Sequence, residues 1–349
     1  MTSSKVKAIV VDDSNFMVTI LSDILEEDGE IEVIGTGKNG AEAIKLNQEM
    51  NPDVILMDIE MPKMDGLTAV KEIMSDDPTP IVIVSALGKR EGDMSIKALD
   101  AGAVNFISKT SGSLSMDIRK KSSEIIKKVK NAARMDLENL TKDKVKTVQK
   151  DFKPEKYKGH IITIASSTGG THALDDLLSK FPNDFPVPIV VVQHMPPNFT
   201  SHLAKTLNTK LRLPVKEAKD HDKIKNNQVY IIPSDYHGMV NEWSKEKSIV
   251  LKNKPKLHGV RPSADYLFQS AAEIYRNKTI GVILTGMGKD GAMGAKIIKD
   301  NGGYLAVQDE ESSVVYGMPK ATKEKIKPDF EGSPDEIGEE LLKMFMEEN

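Results

Sequence analysis

Short apolar runs alternate with amphipathic stretches along the first 120 residues. The strand candidates are Val6–Val11, Ile31–Gly35, Val54–Met57, Ile81–Val84 and Val104–Phe106. Helical patterns lie between them. In Ser14–Glu27, for example, Ile20, Leu21, Ile24 and Leu25 recur on one helix face. Such alternation predicts a parallel sheet with helices on both faces, because parallel strands need long crossovers and helices supply them. The pattern returns from Gly159. Strand candidates there are Ile161–Ala165, Pro188–Val192, Gln228–Ile232, Ile280–Leu284 and Tyr304–Val307, with helical patterns at His172–Leu178 and Ala264–Tyr275. The fold class is therefore α/β, with two doubly wound parallel-sheet domains at 1–120 and 159–349.

Charge divides the chain in the same way. The 349 residues carry a net charge of −4, distributed as −9 over 1–120, +6 over 121–158 and −1 over 159–349. A basic, polar stretch between two apolar-patterned regions reads as a linker. Its first part, Ser122 to Leu140, holds enough Ile, Val, Leu and Ala to continue a helix. A near-neutral second domain argues against a nucleic-acid-binding output. The apolar run near the N-terminus is too short for a signal-peptide core or a bilayer span, so a cytoplasmic protein, not embedded in a membrane, is expected. Cysteine is absent, which removes disulfides, thiolate nucleophiles and cysteine zinc sites. All seven histidines lie at or after His160.

In the first domain the charged residues sit where strands end. The first strand runs into Asp12 and Asp13, the third into Asp58, the fourth into Ser85, and Lys109 follows the fifth. Ligands of doubly wound sheets bind beyond the carboxyl ends of the strands, near the reversal of strand order. In a flavodoxin-like order the first and third strands are neighbours, so three carboxylates converge. They repel one another unless a cation sits among them, and oxygen-only ligands favour Mg²⁺. Ser85 and Lys109 could hold phosphoryl oxygens at the same edge.

The second domain offers a different set. Its first strand runs into Ser166-Ser167-Thr168-Gly169-Gly170, its second into Gln193-His194, and a later one into Thr285-Gly286-Met287-Gly288-Lys289-Asp290-Gly291. A serine on a strand-to-helix turn can act as nucleophile, with helix-start N–H groups facing an oxyanion. A histidine at the same edge can act as base, and Asp290 can orient it. Two alternatives remain open here. Gly286, Gly288 and Gly291, with Asp309 downstream, also satisfy a dinucleotide-binding fingerprint, although Asp290 would repel a pyrophosphate. The serine could be Ser166 or Ser167, and either could merely cap a helix.

Residues 1–120 resemble a response-regulator receiver domain. The matching residues are Val11-Asp12-Asp13-Ser14, Met57-Asp58-Ile59-Glu60-Met61-Pro62-Lys63-Met64-Asp65-Gly66, Ser85-Ala86, and Phe106 with Lys109. The resemblance implies that Asp58 accepts a phosphoryl group from a partner histidine kinase. It implies Mg²⁺ held by Asp12, Asp13 and Asp58, and a switch formed by Ser85, Phe106 and Lys109. Lys109 is followed by Thr110, where the family often has proline.

Residues 159–349 resemble the catalytic domain of the chemotaxis protein-glutamate methylesterases. The matches are Ser167-Thr168-Gly169-Gly170, Gln193-His194-Met195-Pro196-Pro197, Arg261-Pro262-Ser263-Ala264-Asp265, Thr285 to Ala292, and Ser313-Val314-Val315-Tyr316-Gly317-Met318-Pro319. The resemblance implies a Rossmann-like domain with Ser167 as nucleophile, His194 as base and Asp290 as its orienting carboxylate. Oxyanion donors fall on Thr168, Gly170 and Met287. Methylated chemoreceptor glutamates are the implied substrates, receptor glutamines a second one, and the esterase needs no cofactor.

Overall fold

The computed structural model describes residues 5–85, 89–109, 116–135 and 158–346, in two compact units that divide after Lys142.

The first unit holds strands β1 (Val6–Val11), β2 (Ile31–Gly37), β3 (Val54–Asp58), β4 (Ile81–Ser85) and β5 (Asn105–Ser108) in one sheet. All pairings are parallel, in the order β2-β1-β3-β4-β5. The order reverses between β1 and β3, as the flavodoxin-like reading requires. The helices are α1 (Asn15–Glu26), α2 (Gly40–Met50), α3 (Gly66–Asp76), α4 (Lys89–Asp100), α5 (Met116–Arg119) and α6 (Ser122–Ala132). Their starts are written in the loops. Ser14, Asn39 and Asp65 each accept a first-turn backbone N–H, which satisfies an otherwise orphaned donor. Gly66 lacks a side chain because a Cβ there would strike the carbonyl oxygen of Asp58.

Helix α6 revises the boundary drawn at residue 120. Ile125, Val129 and Ala132 recur at helical spacing and are buried in the same core as Leu21, Val54 and Val84. The first turns of the basic stretch therefore complete the first unit. Its charges are used there: Lys130 Nζ lies 2.5 Å from Asp28 and 2.8 Å from Glu30. The expected helix beyond Met135 falls outside the described residues.

The second unit is built on a seven-stranded parallel sheet, β15-β14-β13-β6-β7-β10-β8. Its strands are β6 (Ile161–Ser166), β7 (Ile189–Gln193), β8 (Val215–Glu217), β10 (Val229–Ile231), β13 (Thr279–Ile283), β14 (Tyr304–Gln308) and β15 (Phe330–Gly332). Helices α7 (Gly170–Ser179), α8 (Phe199–Lys210), α9 (Ala264–Tyr275), α10 (Ala292–Asp300), α11 (Met318–Lys323) and α12 (Pro334–Phe345) complete the layers. Every residue of β6, β7 and β13 is buried, as expected for strands covered on both faces. The order reverses between β6 and β13.

A small antiparallel sheet lies outside the expected pattern. It joins β9 (Asp222–Lys223), β11 (His237–Trp243) and β12 (Glu246–Lys252) in the order β11-β12-β9. The β11–β12 hairpin turns through Ser244 (φ 50°) and Lys245 (φ 68°). Asn-Gly or Asp-Gly is the usual signature of such a turn, so Ser-Lys concealed it.

Candidate active site and carboxylate pocket

In the first unit, Asp12, Asp13 and Asp58 bring carboxylate oxygens within 4.8 Å of one another. Asp12 and Asp58 are buried and Asp13 is exposed. Backbone amides orient the buried pair: Ser14 N–H donates to Asp12 Oδ1 (3.0 Å) and Ile59 N–H to Asp58 Oδ1 (2.7 Å). Lys109, just past β5, reaches both, with Nζ 2.8 Å from Asp12 Oδ2 and 2.7 Å from Asp58 Oδ2. Burial pushes the Asp58 carboxyl up to about 6 despite the pull of Lys109. Burial alone would lower the Lys109 ammonium, but Asp58 and Asp12 outweigh it and hold it above its ordinary value. Two buried oxygens and one open to solvent, with no nitrogen or sulfur donor, fit a hard divalent cation that keeps several waters. Ser85 is fully buried at the end of β4, and Phe106 on β5 is buried with Lys128 Nζ 5.5 Å from its ring centroid. Ala86 and Thr110 lie outside the described residues.

The second unit places Ser167 and His194 directly after β6 and β7, and Asp290 in the loop seven residues past the end of β13, on both sides of its order reversal. Backbone bonds stitch these ends together. Ser167 N–H donates to Thr285 O (3.0 Å), Leu284 N–H to Ala165 O (2.9 Å) and His194 N–H to Ser166 O (3.0 Å). His194 Nε2 lies 2.9 Å from Asp290 Oδ2. Nδ1 is then the ring nitrogen left for a second partner.

Asp290 is 2% exposed, and four donors surround it. Besides His194, Oδ1 accepts from Ser263 Oγ (2.5 Å) and Asp265 N–H (3.4 Å), and Oδ2 from Ala264 N–H (2.7 Å). These groups open α9, so the carboxylate sits on a helix N-terminus. Burial raises the Asp290 carboxyl, but His194, Ser263 and Ala264 together hold it below the ordinary carboxylate range. The support continues outward. Ser263 N–H donates to His237 Nδ1 (3.1 Å), and His237 Nε2 lies 3.0 Å from Pro255 O. With Nδ1 accepting, Nε2 carries the proton and His237 is neutral. Burial lowers His237.

His258, Asp265 and Asp290 form a second cluster compact enough to be tested as a cation site. Its oxygens are already used. Asp265 Oδ2 lies 3.0 Å from His258 Nε2, and Asp265 Oδ1 accepts from Gly294 N–H at 2.7 Å. It is a hydrogen-bonded brace.

The turn at Ser167 separates the two serines. Ser166 is fully buried and donates to Gln193 Oε1 (2.5 Å), while Gln193 Nε2 donates to Ser167 O (2.8 Å). Ser167 is partly exposed. Gly170 corrects one expectation, because its N–H donates to Ser167 O at 2.9 Å and closes the turn. That amide is spent inside the chain. Gly169 has φ 74°, and a Cβ there would strike Val314. A Cβ on Gly286 would come 2.7 Å from Ser167 Cβ.

The glycines of the 285–291 loop thus serve close approach and positive φ, as at Gly288 (97°) and Gly291 (87°). Asp309 accepts from Ser312 N–H (2.8 Å) and Oγ (2.6 Å), so it is spent on its own turn and not held out for a ribose. Neither feature supports the dinucleotide reading. Gln193, Ser263 and His237 had no assigned role in sequence. Gln193 and Ser263 stood inside quoted motifs, and Ser263 also occupies the position before a helical run.

Residues 162–341 match the family model described as CheB methylesterase, and residues 8–120 match the response regulator receiver domain. The chain is 41% identical over 343 residues to a protein-glutamate methylesterase/protein-glutamine glutaminase of Pyrococcus horikoshii, covering 97% of this chain and 93% of that protein. It is 41% identical over 344 residues to the protein of the same name from Thermotoga maritima, covering 99% and 100%. The crystal structure of the Thermotoga maritima CheB methylesterase catalytic domain matches with a TM-score of 0.53 at 44% identity, covering 54% of this chain and 99% of that one. Both family models match, and the relatives match over nearly the whole chain: the chain belongs to the CheB methylesterase family, with a response-regulator receiver domain at its N-terminus.

Proposed function

We propose that this chain is a phosphorylation-controlled hydrolase that removes methyl groups from glutamate γ-methyl esters of chemoreceptors and deamidates receptor glutamines, serving adaptation in chemotaxis. The observation that carries the reading is the pairing of half-buried His194 with buried Asp290, 2.9 Å apart, at the strand edge that also holds Ser167.

Ser167 Oγ attacks the ester carbonyl carbon while His194 takes the hydroxyl proton on Nδ1. Asp290 stays ionised and stabilises the imidazolium. The tetrahedral oxyanion is met by backbone N–H groups of Thr168 and Met287. The C–O bond to the methoxy group breaks, and His194 returns the proton to release methanol. A water, deprotonated by His194, attacks the acyl-enzyme and frees glutamate and Ser167. With glutamine, ammonia leaves in place of methanol. These side chains, the two backbone amides and water carry every step.

In the receiver, an Asp58 oxygen attacks the phosphorus of a kinase phosphohistidine; a P–O bond forms and the P–N bond breaks. Asp12, Asp13 and Asp58 would hold Mg²⁺, which would supply positive charge beside the phosphoryl group. Lys109 and Ser85 then bind phosphoryl oxygens, and Phe106 follows the rearrangement. Phosphorylation shifts the population of esterase-competent protein. The partners are therefore receptors and a histidine kinase in the cytoplasm. Among the described residues no helix is long and apolar enough to cross a membrane.

Methanol release from methylated receptor, with and without a small-molecule phosphodonor, tests the reading. Release is expected in both, faster with donor, and the increment should vanish in Asp58→Asn. No release under either condition would leave a receptor-binding scaffold instead.

A further inference from the structure

A glutamyl methyl ester is neutral and small, so the reacting group offers the enzyme little to hold. Affinity must come from what surrounds it. The segment from Lys252 to Arg261 carries four cations, Lys252, Lys254, Lys256 and Arg261, and no carboxylate. Lys252 to Lys256 are all exposed. Among the described residues Lys252, Lys254 and Lys256 form no salt bridge; Lys254 lies over the Tyr266 ring, with Nζ 4.7 Å from its centroid. Arg261 has only a distant carboxylate, with Nη2 3.8 Å from Asp235, and its buried Nε donates to no described group.

This loop is held in a defined shape. Leu257 and Val260 exchange backbone bonds of 3.1 and 3.0 Å across a two-residue turn. Arg261 Nη1 fastens the end of the loop to its beginning through Asn253 Oδ1 (2.5 Å) and Lys254 O (3.0 Å). It is also tied to the catalytic edge. Pro255 O meets His237, His237 meets Ser263, and Ser263 donates to Asp290. Lys289, directly before Asp290, is exposed and makes no salt bridge among the described residues. One carboxylate, Asp220, stands at the root of the loop, where it accepts Leu251 N–H at 2.8 Å.

We propose that the Lys252–Arg261 loop, with Lys289, is a cationic docking edge for an acidic polypeptide segment flanking the esterified glutamate. The proposal rests on the methylesterase reading and names what its substrate must carry. A loop whose backbone is already held in shape spends little chain entropy on binding, and its largely unpaired cations raise encounter rates with anions by roughly 10–1,000-fold at low salt. The Debye length falls from about 10 Å at 0.1 M to 3 Å at 1 M salt, so the advantage must fade as salt rises.

The experiment uses the full-length, phosphodonor-treated protein. Two peptides carry one glutamyl methyl ester, flanked in one by glutamates and in the other by glutamines. Methanol release gives kcat/KM at low and high salt, and fluorescence anisotropy gives the affinity of each unesterified, labelled peptide. The acidic peptide is expected to be favoured about tenfold or more at low salt. The preference should disappear at high salt and in the triple variant Lys252→Gln, Lys254→Gln, Lys256→Gln. Equal kcat/KM and equal affinity for both peptides would overturn the proposal. A preference that survives in the triple variant would overturn it too. If neither peptide releases methanol, the methylesterase reading fails, and the anisotropy still decides the docking edge.

Discussion

Ser263→Ala isolates the support of Asp290, the carboxylate proposed to orient His194. Ser263 is fully buried and its hydroxyl donates to Asp290 Oδ1 at 2.5 Å. Although Ser263 stands at the N-cap of α9, its side chain makes no capping bond, so the substitution should leave the helix start intact. A hydrogen bond to a charged group is worth about 1.5–3 kcal/mol. If all of that were lost from the transition state, kcat/KM would fall about 10- to 150-fold. Ala264 N–H at 2.7 Å and His194 at 2.9 Å still hold the carboxylate, so the lower end, about tenfold, is expected. The assay is methanol release with a soluble glutamyl ester peptide, alongside urea unfolding to show that the fold persists. Ser263→Thr, which keeps the hydroxyl, should restore most of the rate. Full kcat/KM in Ser263→Ala would refute the claim that this hydroxyl holds Asp290. Equal losses in the alanine and threonine variants would trace the effect to packing instead.

Ser167→Ala should lower kcat about 10³-fold or more. Ser166→Ala should stay active but lose about 1–3 kcal/mol of stability, because Gln193 Oε1 loses its donor; the reverse ranking in a methanol assay would exchange their roles. Gly286→Ala would press a Cβ against Ser167 Cβ at 2.7 Å; a displacement of that kind costs about 10²-fold in rate, and an unchanged kcat would show that the turn yields freely. His237 predicts a pH effect on stability. Burial lowers its pKa below 6.5, so below that pH the unfolded chain binds the extra proton and the folded chain resists it. Stability is therefore retained above about pH 6.5 and declines as pH falls below it. His237→Gln, which can keep both hydrogen bonds without titrating, should remove that part of the decline in urea midpoints.

The reactive groups were legible because doubly wound sheets deliver strand-end residues to one edge. Asp12 and Asp58 directly follow or end an apolar run, Ser167 and His194 follow theirs after one intervening residue and Asp290 comes six residues after Leu284, and within each unit topology gathers them at one edge. The supporting groups were not legible in the same way. Ser263 reaches Asp290 only because α9 and the 285–291 loop approach each other in space, and no local pattern records that approach. Gly294 illustrates the dependence, since a Cβ there would meet Phe268 Cβ at 2.6 Å. Gly170 had the right position for an oxyanion donor, but its amide closes the turn on Ser167 O. A helix was expected from Ser122, but its place in the first unit was hidden by composition: its lysines suggested a solvated linker, whereas Ile125 and Val129 form the buried face and Lys130 pairs with Asp28 and Glu30.

Stitching the active site from distant strands has a consequence for biosynthesis. The receiver's core closes with Ala132. The esterase edge waits for β13 and β14, because Thr285 N–H donates to Gln308 Oε1, and for Met318, whose N–H donates to Gly286 O. At about 5–20 residues per second, roughly 10–40 s of translation separate the two events. On the proposed role of Asp58, the nascent chain carries during that interval a phosphoryl acceptor and no output. Chains that end early, through premature release or proteolysis, would draw phosphoryl groups from the kinase without demethylating any receptor.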